Sequence, residues 1–192
     1  MEDLGLWKPR LEQRIQEIQQ VLDYIHSQPW VVDGVEYDLK RVFIAGHGFG
    51  GCTALAVSER EPVRIQYCIT LDPWLYCLYK EIVDNEFKID QPLITISSEE
   101  WHQYVPGFDS WSTLKQLFLN NNALEDWLYV IKETAHLFQT DILSLAPLEF
   151  KMWTGRNPSN DVVELYELGN KLVMKWVKGF PGFDFIEIKE HT

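Results

Sequence analysis

Residues Arg41 to Ala54, Arg-Val-Phe-Ile-Ala-Gly-His-Gly-Phe-Gly-Gly-Cys-Thr-Ala, constrain this chain more than any other stretch. A short run, Val42 to Ala45, is apolar on both faces, which predicts a strand buried inside a helix-covered and therefore parallel sheet. The glycines that follow predict a tight turn. Gly50 and Gly51 are expected to let the next helix, Cys52 to about Ser58, pack closely on that strand. Strand, glycine turn and helix together form the setting of the G-x-S-x-G elbow, which holds a serine hydroxyl at the tip of a strained turn. Here the tip residue is Gly48. The backbone for acyl transfer is in place, and the oxygen that would perform it is not.

The remainder of the chain surrounds that elbow with alternating strands and helices. Leu11, Ile15, Ile18, Leu22 and Ile25 recur at helical steps and predict an amphipathic helix from Arg10 to about His26. Pro29 and Asp33-Gly34 mark a loop. A second buried strand, Ile65 to Leu71, delivers Asp72 at its carboxyl end just before Pro73 and Trp74. A third, Leu93 to Ser97, exits into polar Ser98, Glu99 and Glu100. Ser112 is the expected cap of a helix carrying Leu114, Leu117 and Phe118 and closed by three asparagines. Trp127 to Lys132 reads as a fourth strand, with His136 in the loop after it. Leu137 to Phe150 reads as partly helical, Trp153 to Asp161 as a loop, and Val162 to Val177 as a closing amphipathic helix. The pattern predicts one α/β domain over residues 1–192 with a mainly parallel sheet.

Charge and cysteine usage exclude several classes. A net charge of −12 with no cation cluster argues against nucleic acid, whose phosphates must be neutralised. It also disfavours purely electrostatic docking to an anionic membrane, although eight Trp and ten Phe leave room for apolar contact with lipid. Cys52, Cys68 and Cys77 have no zinc-ligand spacing and lie in apolar segments, so buried free thiols in a reducing compartment are expected. Met1-Glu2-Asp3 opens no signal peptide, the second residue is not Gly, and no run reaches membrane-spanning length. The expected location is cytoplasmic, with no transmembrane segment.

In open parallel sheets, functional groups sit beyond the carboxyl ends of the strands. Three such ends carry Gly48, Asp72 and His136, in the chain order nucleophile, acid, base. The acid would fix the imidazole tautomer, and the imidazole would take the proton of a nucleophile. A competing reading exists, because Gly46, Gly48 and Gly51 also match a dinucleotide G-x-G-x-x-G fingerprint with Asp72 as its acidic partner. His47 is expected to pack or hydrogen-bond locally. Glu99 and Glu100 point to opposite faces as a solvated strand exit. Trp101, Tyr104, Phe108 and Trp111 read as loop or core packing, or as a lid over an acyl pocket.

Taken in order, Gly46-His47-Gly48-Phe49-Gly50-Gly51, Leu71-Asp72-Pro73-Trp74, Gln91-Pro92-Leu93 with Ser97-Ser98-Glu99, and Ala135-His136 resemble the platelet-activating factor acetylhydrolases of the lipoprotein-associated phospholipase A2 type. Those enzymes have Gly-His-Ser-Phe-Gly-Gly, a Leu-Asp-x-Trp motif and a late histidine. The resemblance implies an α/β-hydrolase-like fold, with Asp72 as triad acid, His136 as base, Gly48 at the nucleophile position and the Phe49 amide as one oxyanion donor. It implies cofactor-free hydrolysis of a short acyl ester of a glycerophospholipid, a step in lipid breakdown, with a phospholipid or short-chain ester as ligand. It also implies that the chain corresponds to the C-terminal part of the catalytic domain, without the upstream strands and second oxyanion amide. With Gly48 in place of serine the expectation is an inactive or severely impaired hydrolase; the alternative is a non-catalytic lipid- or protein-binding module on that scaffold.

Overall fold

The computed structural model describes residues 4–28, 37–101, 109–121, 126–140, 145 and 162–180. Its elements in chain order are α1 (Leu4–Ser27), β1 (Phe43–His47), α2 (Phe49–Arg60), β2 (Tyr67–Leu71), a 3-10 turn (Leu75–Leu78) running into α3 (Tyr79–Val83), β3 (Leu93–Ser98), α4 (Ser110–Asn121), β4 (Trp127–Ile131), a second 3-10 turn (His136–Gln139) and α5 (Val162–Val177). The four strands pair in the order β1-β2-β3-β4, every pair parallel. Helices lie on both faces, as a parallel sheet requires. One face meets α1, α2, α3 and α4 through Ile15, Leu55, Cys68, Leu93 and Leu114. The other meets α5 through Ile94, Ile96, Ile131, Trp176 and Val177.

The predicted strands and helices are all present where described residues test them, and α5 has the predicted bounds. The segment Trp153 to Asp161 and most of Leu137 to Phe150 lie outside the described residues. Three expectations need correction. First, β1 is not buried on both faces: Ile44 is its one buried residue and Ala45 is exposed, because β1 is an edge strand among the described residues. The interior positions belong to β2 and β3, and all six residues of β3 are buried. Secondly, α1 begins six residues before Arg10 and includes Pro9. What holds its first turns is Trp7, which packs edge-on against Trp74 at 4.8 Å and Phe49 at 5.6 Å between ring centroids. Thirdly, Asp109 rather than Ser112 caps α4, its carboxylate accepting the Ser112 N–H at 2.8 Å.

Candidate active site

The elbow is shaped by the absence of side chains. A Cβ on Gly46 would lie 2.1 Å from the Gly50 carbonyl oxygen, and one on Gly51 would lie 3.0 Å from the Cα of Pro73. These two glycines let α2 close onto β1 and onto the Asp72 turn. Gly50 has nothing within 4 Å of its Cβ position, so the close packing expected of Gly50 and Gly51 rests on Gly46 and Gly51 instead. Gly48 itself holds φ 58° and ψ −120°, the left-handed half of backbone space that L side chains rarely adopt. Its N–H donates to the Leu71 carbonyl at 2.9 Å. Its carbonyl accepts from Cys52 N–H at 3.2 Å and Trp74 N–H at 2.9 Å. The turn is thereby tied to the end of β2 as well as to α2. Phe49 follows as the first residue of α2, where amide protons lack an intrahelical acceptor.

Asp72 stands at the end of β2 with no exposed surface and a positive φ of 44°. Its carboxylate accepts the Ser98 N–H at 2.6 Å on Oδ1 and the Ser98 hydroxyl at 2.6 Å on Oδ2. The same Oδ2 faces His136 Nδ1 at 3.4 Å, a long contact for a hydrogen bond. With Nδ1–H directed at the carboxylate, His136 Nε2 is left as the acceptor, and it points at the elbow. A Cβ on Gly48 would lie 3.1 Å from that Nε2. The structure thus brings Gly48, Asp72 and His136 together in the sequence the spacing predicted.

Three residues of this site escaped sequence reasoning. Ser98, read only as a polar residue where the third strand exits, is fully buried and is the main partner of Asp72. The β2–β3 register, which opposes Leu71 to Ile96, is what carries Ser98 to Asp72. Trp101 stacks on His136 at 3.6 Å between centroids with planes 15° apart. Its indole N–H is aimed at the Pro73 carbonyl at 3.5 Å. His47 stacks on the opposite side at 4.2 Å and donates from Nε2 to the His136 carbonyl at 3.1 Å, so it packs and hydrogen-bonds as expected, though not locally: its partner lies 89 residues away. Burial pushes the His47 pKa down, and the neighbouring His136 pushes it the same way. A polar residue at the carboxyl end of a strand next to Asp72 was the one signal that could have singled out Ser98. The stacking partners had none.

The cluster does not suit a metal. His47, Asp72 and His136 offer ligand atoms within 4.8 Å of one another. A metal must lie in the plane of each imidazole that binds it, however, and these two rings are stacked within 21° of parallel. Both Asp72 oxygens are already engaged. The dinucleotide reading fares no better, since a ribose needs an accessible acid and Asp72 has none of its surface exposed.

A parallel sheet with a glycine elbow after one strand and an Asp–His pair at the next carboxyl ends defines an architecture of the α/β-hydrolase class. The family model for platelet-activating factor acetylhydrolase, isoform II, matches residues 32–178, and the chain belongs to that family. The chain is 27% identical over 121 residues to the platelet-activating factor acetylhydrolase of Gallus gallus, a match covering 63% of this chain and 26% of that protein. It is 39% identical over 62 residues to that of Cavia porcellus, covering 32% of this chain and 13% of the relative. The chain therefore spans about a quarter or less of these relatives. Among solved structures it is similar to an α/β hydrolase from a Mar Chica lagoon metagenome, at TM-score 0.48 and 16% identity over 88% of this chain and 70% of that one. Similarity to the enterobactin esterase of Shigella flexneri has TM-score 0.44 and 14% identity, over 62% of this chain and 32% of the esterase.

Proposed function

We propose that the chain carries the acid and base of a serine-type carboxylic ester hydrolase for short acyl esters of glycerophospholipids, with glycine where the nucleophile belongs. The observation that carries this reading is His136, whose Nε2 faces the Gly48 Cβ position at 3.1 Å while its Nδ1 faces Asp72. In this reading Asp72 holds the imidazole tautomer, His136 is the base, and the Phe49 amide is one oxyanion donor. Loss of a serine nucleophile costs on the order of a millionfold in turnover, so the unmodified chain is expected to be essentially inert. A reducing, cytoplasmic setting belongs to the same reading and is supported by three buried free thiols.

Restoring the oxygen tests it. In Gly48→Ser the new Cβ needs His136 to retreat by a few tenths of an ångström, and the 3.4 Å gap to Asp72 leaves that slack. The variant is expected to hydrolyse a short-chain p-nitrophenyl ester at least ~1,000-fold faster than the parent and to be labelled at position 48 by a fluorophosphonate. A folded variant that is neither labelled nor active refutes the reading. One observation favours the binding-module alternative. A largely apolar cavity of about 190 Å³ opens beside the end of β2, lined by Leu71, Ile96, Ile131, Phe138 and Val173. Saturable binding of a lysophospholipid by the unmodified chain would support it.

A further inference from the structure

Asp72 restrains His136 at one point only. The His136 Nδ1 faces Asp72 Oδ2 at 3.4 Å, while both oxygens of that carboxylate already accept from Ser98 at 2.6 Å. One contact at the rim of a ring leaves the plane free to pivot about the line of that contact. The side chain's own torsion does not prevent this, because rotation about the bond to an imidazole is broad and roughly two-fold. The Nε2 lone pair lies in the ring plane, so the plane decides whether it is aimed at position 48.

Two ring faces fix what that single contact leaves free. Trp101 covers one side of His136 at 3.6 Å between centroids and 15° from parallel, and His47 covers the other at 4.2 Å and 21°. Each wall is anchored to a part of the site with which the imidazole must align. His47 ends β1 immediately before Gly48 and donates from Nε2 to the His136 carbonyl at 3.1 Å. Trp101 directs its indole N–H at the carbonyl of Pro73, the neighbour of Asp72, at 3.5 Å. The Trp101 wall is also braced from behind. Beyond the end of β3, Glu99 N–H donates to the Ile131 carbonyl and Glu100 N–H to the Thr134 carbonyl, both at 3.1 Å. The Glu99 carboxylate accepts the Glu133 N–H at 2.8 Å. The segment that delivers Trp101 is thereby tied to the segment that delivers His136.

We infer that Trp101 is a positioning residue whose indole face, with His47 opposite, sets the ring plane of His136 and keeps its Nδ1 on Asp72. This role rests on the reading of His136 as the base. A pivoted ring loses Asp72, and the proton is then no longer fixed on Nδ1, since the hydrogen bond of one ring nitrogen sets the state of the other. Nε2 in turn leaves the line to position 48, and a displacement of ~1 Å can cost about 100-fold in rate.

The test has two arms, both on the folded 192-residue chain. The first uses the unmodified chain at pH ~8.5, about two units above an ordinary imidazole. A nitrogen–proton correlation spectrum of the histidine rings is expected to show His136, identified by its loss in His136→Asn, with its proton on Nδ1. Trp101→Leu is expected to shift it to the mixed pattern of a free imidazole, and Trp101→Phe, which keeps a stacking face, to leave it on Nδ1. The second arm adds the same substitutions to Gly48→Ser and assays a short-chain p-nitrophenyl ester. Trp101→Leu is expected to lower kcat ~10- to 100-fold with KM within about 3-fold, and Trp101→Phe to hold kcat within about 3-fold of Gly48→Ser. A mixed pattern in the parent, a tautomer unmoved by Trp101→Leu, a loss confined to KM, or a Phe variant as slow as the Leu variant overturns the proposal. An inert Gly48→Ser refutes the nucleophile reading alone, and the spectra of the chains that keep Gly48 still decide the role of Trp101. Trp101 is only half-buried, and the parent spectrum needs no substitution at all.

Discussion

The two ends of the site are built on opposite principles. At the Asp72 end every atom of the carboxylate is engaged by side chains and amides, with Ser98 closing both oxygens and His136 sharing one. At the Gly48 end the shape depends on side chains that are not there: Gly46 and Gly51 supply clearance and Gly48 supplies a left-handed turn. The difference explains how an elbow keeps its form without a nucleophile. No bond that holds the turn involves a side chain at position 48, since its N–H and carbonyl do that work.

This contrast can be broken by substitution, and the largest effect is expected at the elbow. Gly46→Ala drives a Cβ to 2.1 Å from a backbone oxygen that cannot swing away, so a loss on the order of 4 kcal/mol, or failure to fold, is expected in urea denaturation. Near-parental stability would mean that α2 is not pressed against β1. Next comes the acid end. Asp72→Asn tolerates the positive φ but turns an acceptor into a donor facing His136, and should cost about 1–3 kcal/mol. In the Gly48→Ser background it should also remove most of the restored rate, up to about 10,000-fold where the gain is that large. Equal rates with and without Asp72→Asn would separate the acid from the chemistry.

Smaller effects sharpen the same comparison. Gly50→Ala meets open space within a helix and should stabilise by roughly 0.5–1 kcal/mol, opposite in sign to Gly46→Ala four residues earlier. His47 gives a pH signature. Its folded pKa is depressed while the unfolded chain titrates near 6.5 or so, so the unfolded state binds the proton first as pH falls. Stability is therefore expected to decline below that unfolded value and to be independent of His47 well above it. His47→Asn should flatten the thermal midpoint against pH through this window; an unchanged slope would assign it to other groups.

The sequence made much of this frame readable because local physics writes it locally. The glycine run, the apolar strands and the helical periodicity of Val162 to Val177 all act within a few residues. Ser98 was not singled out because its partner lies 26 residues away across a strand pairing, and its neighbours along the chain say nothing of that partner. β1 was misplaced for the same reason, since an apolar run looks alike at a sheet's edge and in its interior. Asp109 was passed over as a cap because Ser112 is an equally good capping residue type.

The sequence by itself determined the order of groups along the chain, the parallel α/β class and the missing oxygen at position 48, all of which are properties of residue type and spacing. Only the tertiary structure decided which atoms meet. The register of β2 against β3 sets Ser98 on Asp72, the packing of Trp101 and His47 clamps His136 between two rings, and the closure of α2 aims that ring at Gly48. Such contacts depend on distances between segments far apart in the chain, and those distances are set by how the layers pack.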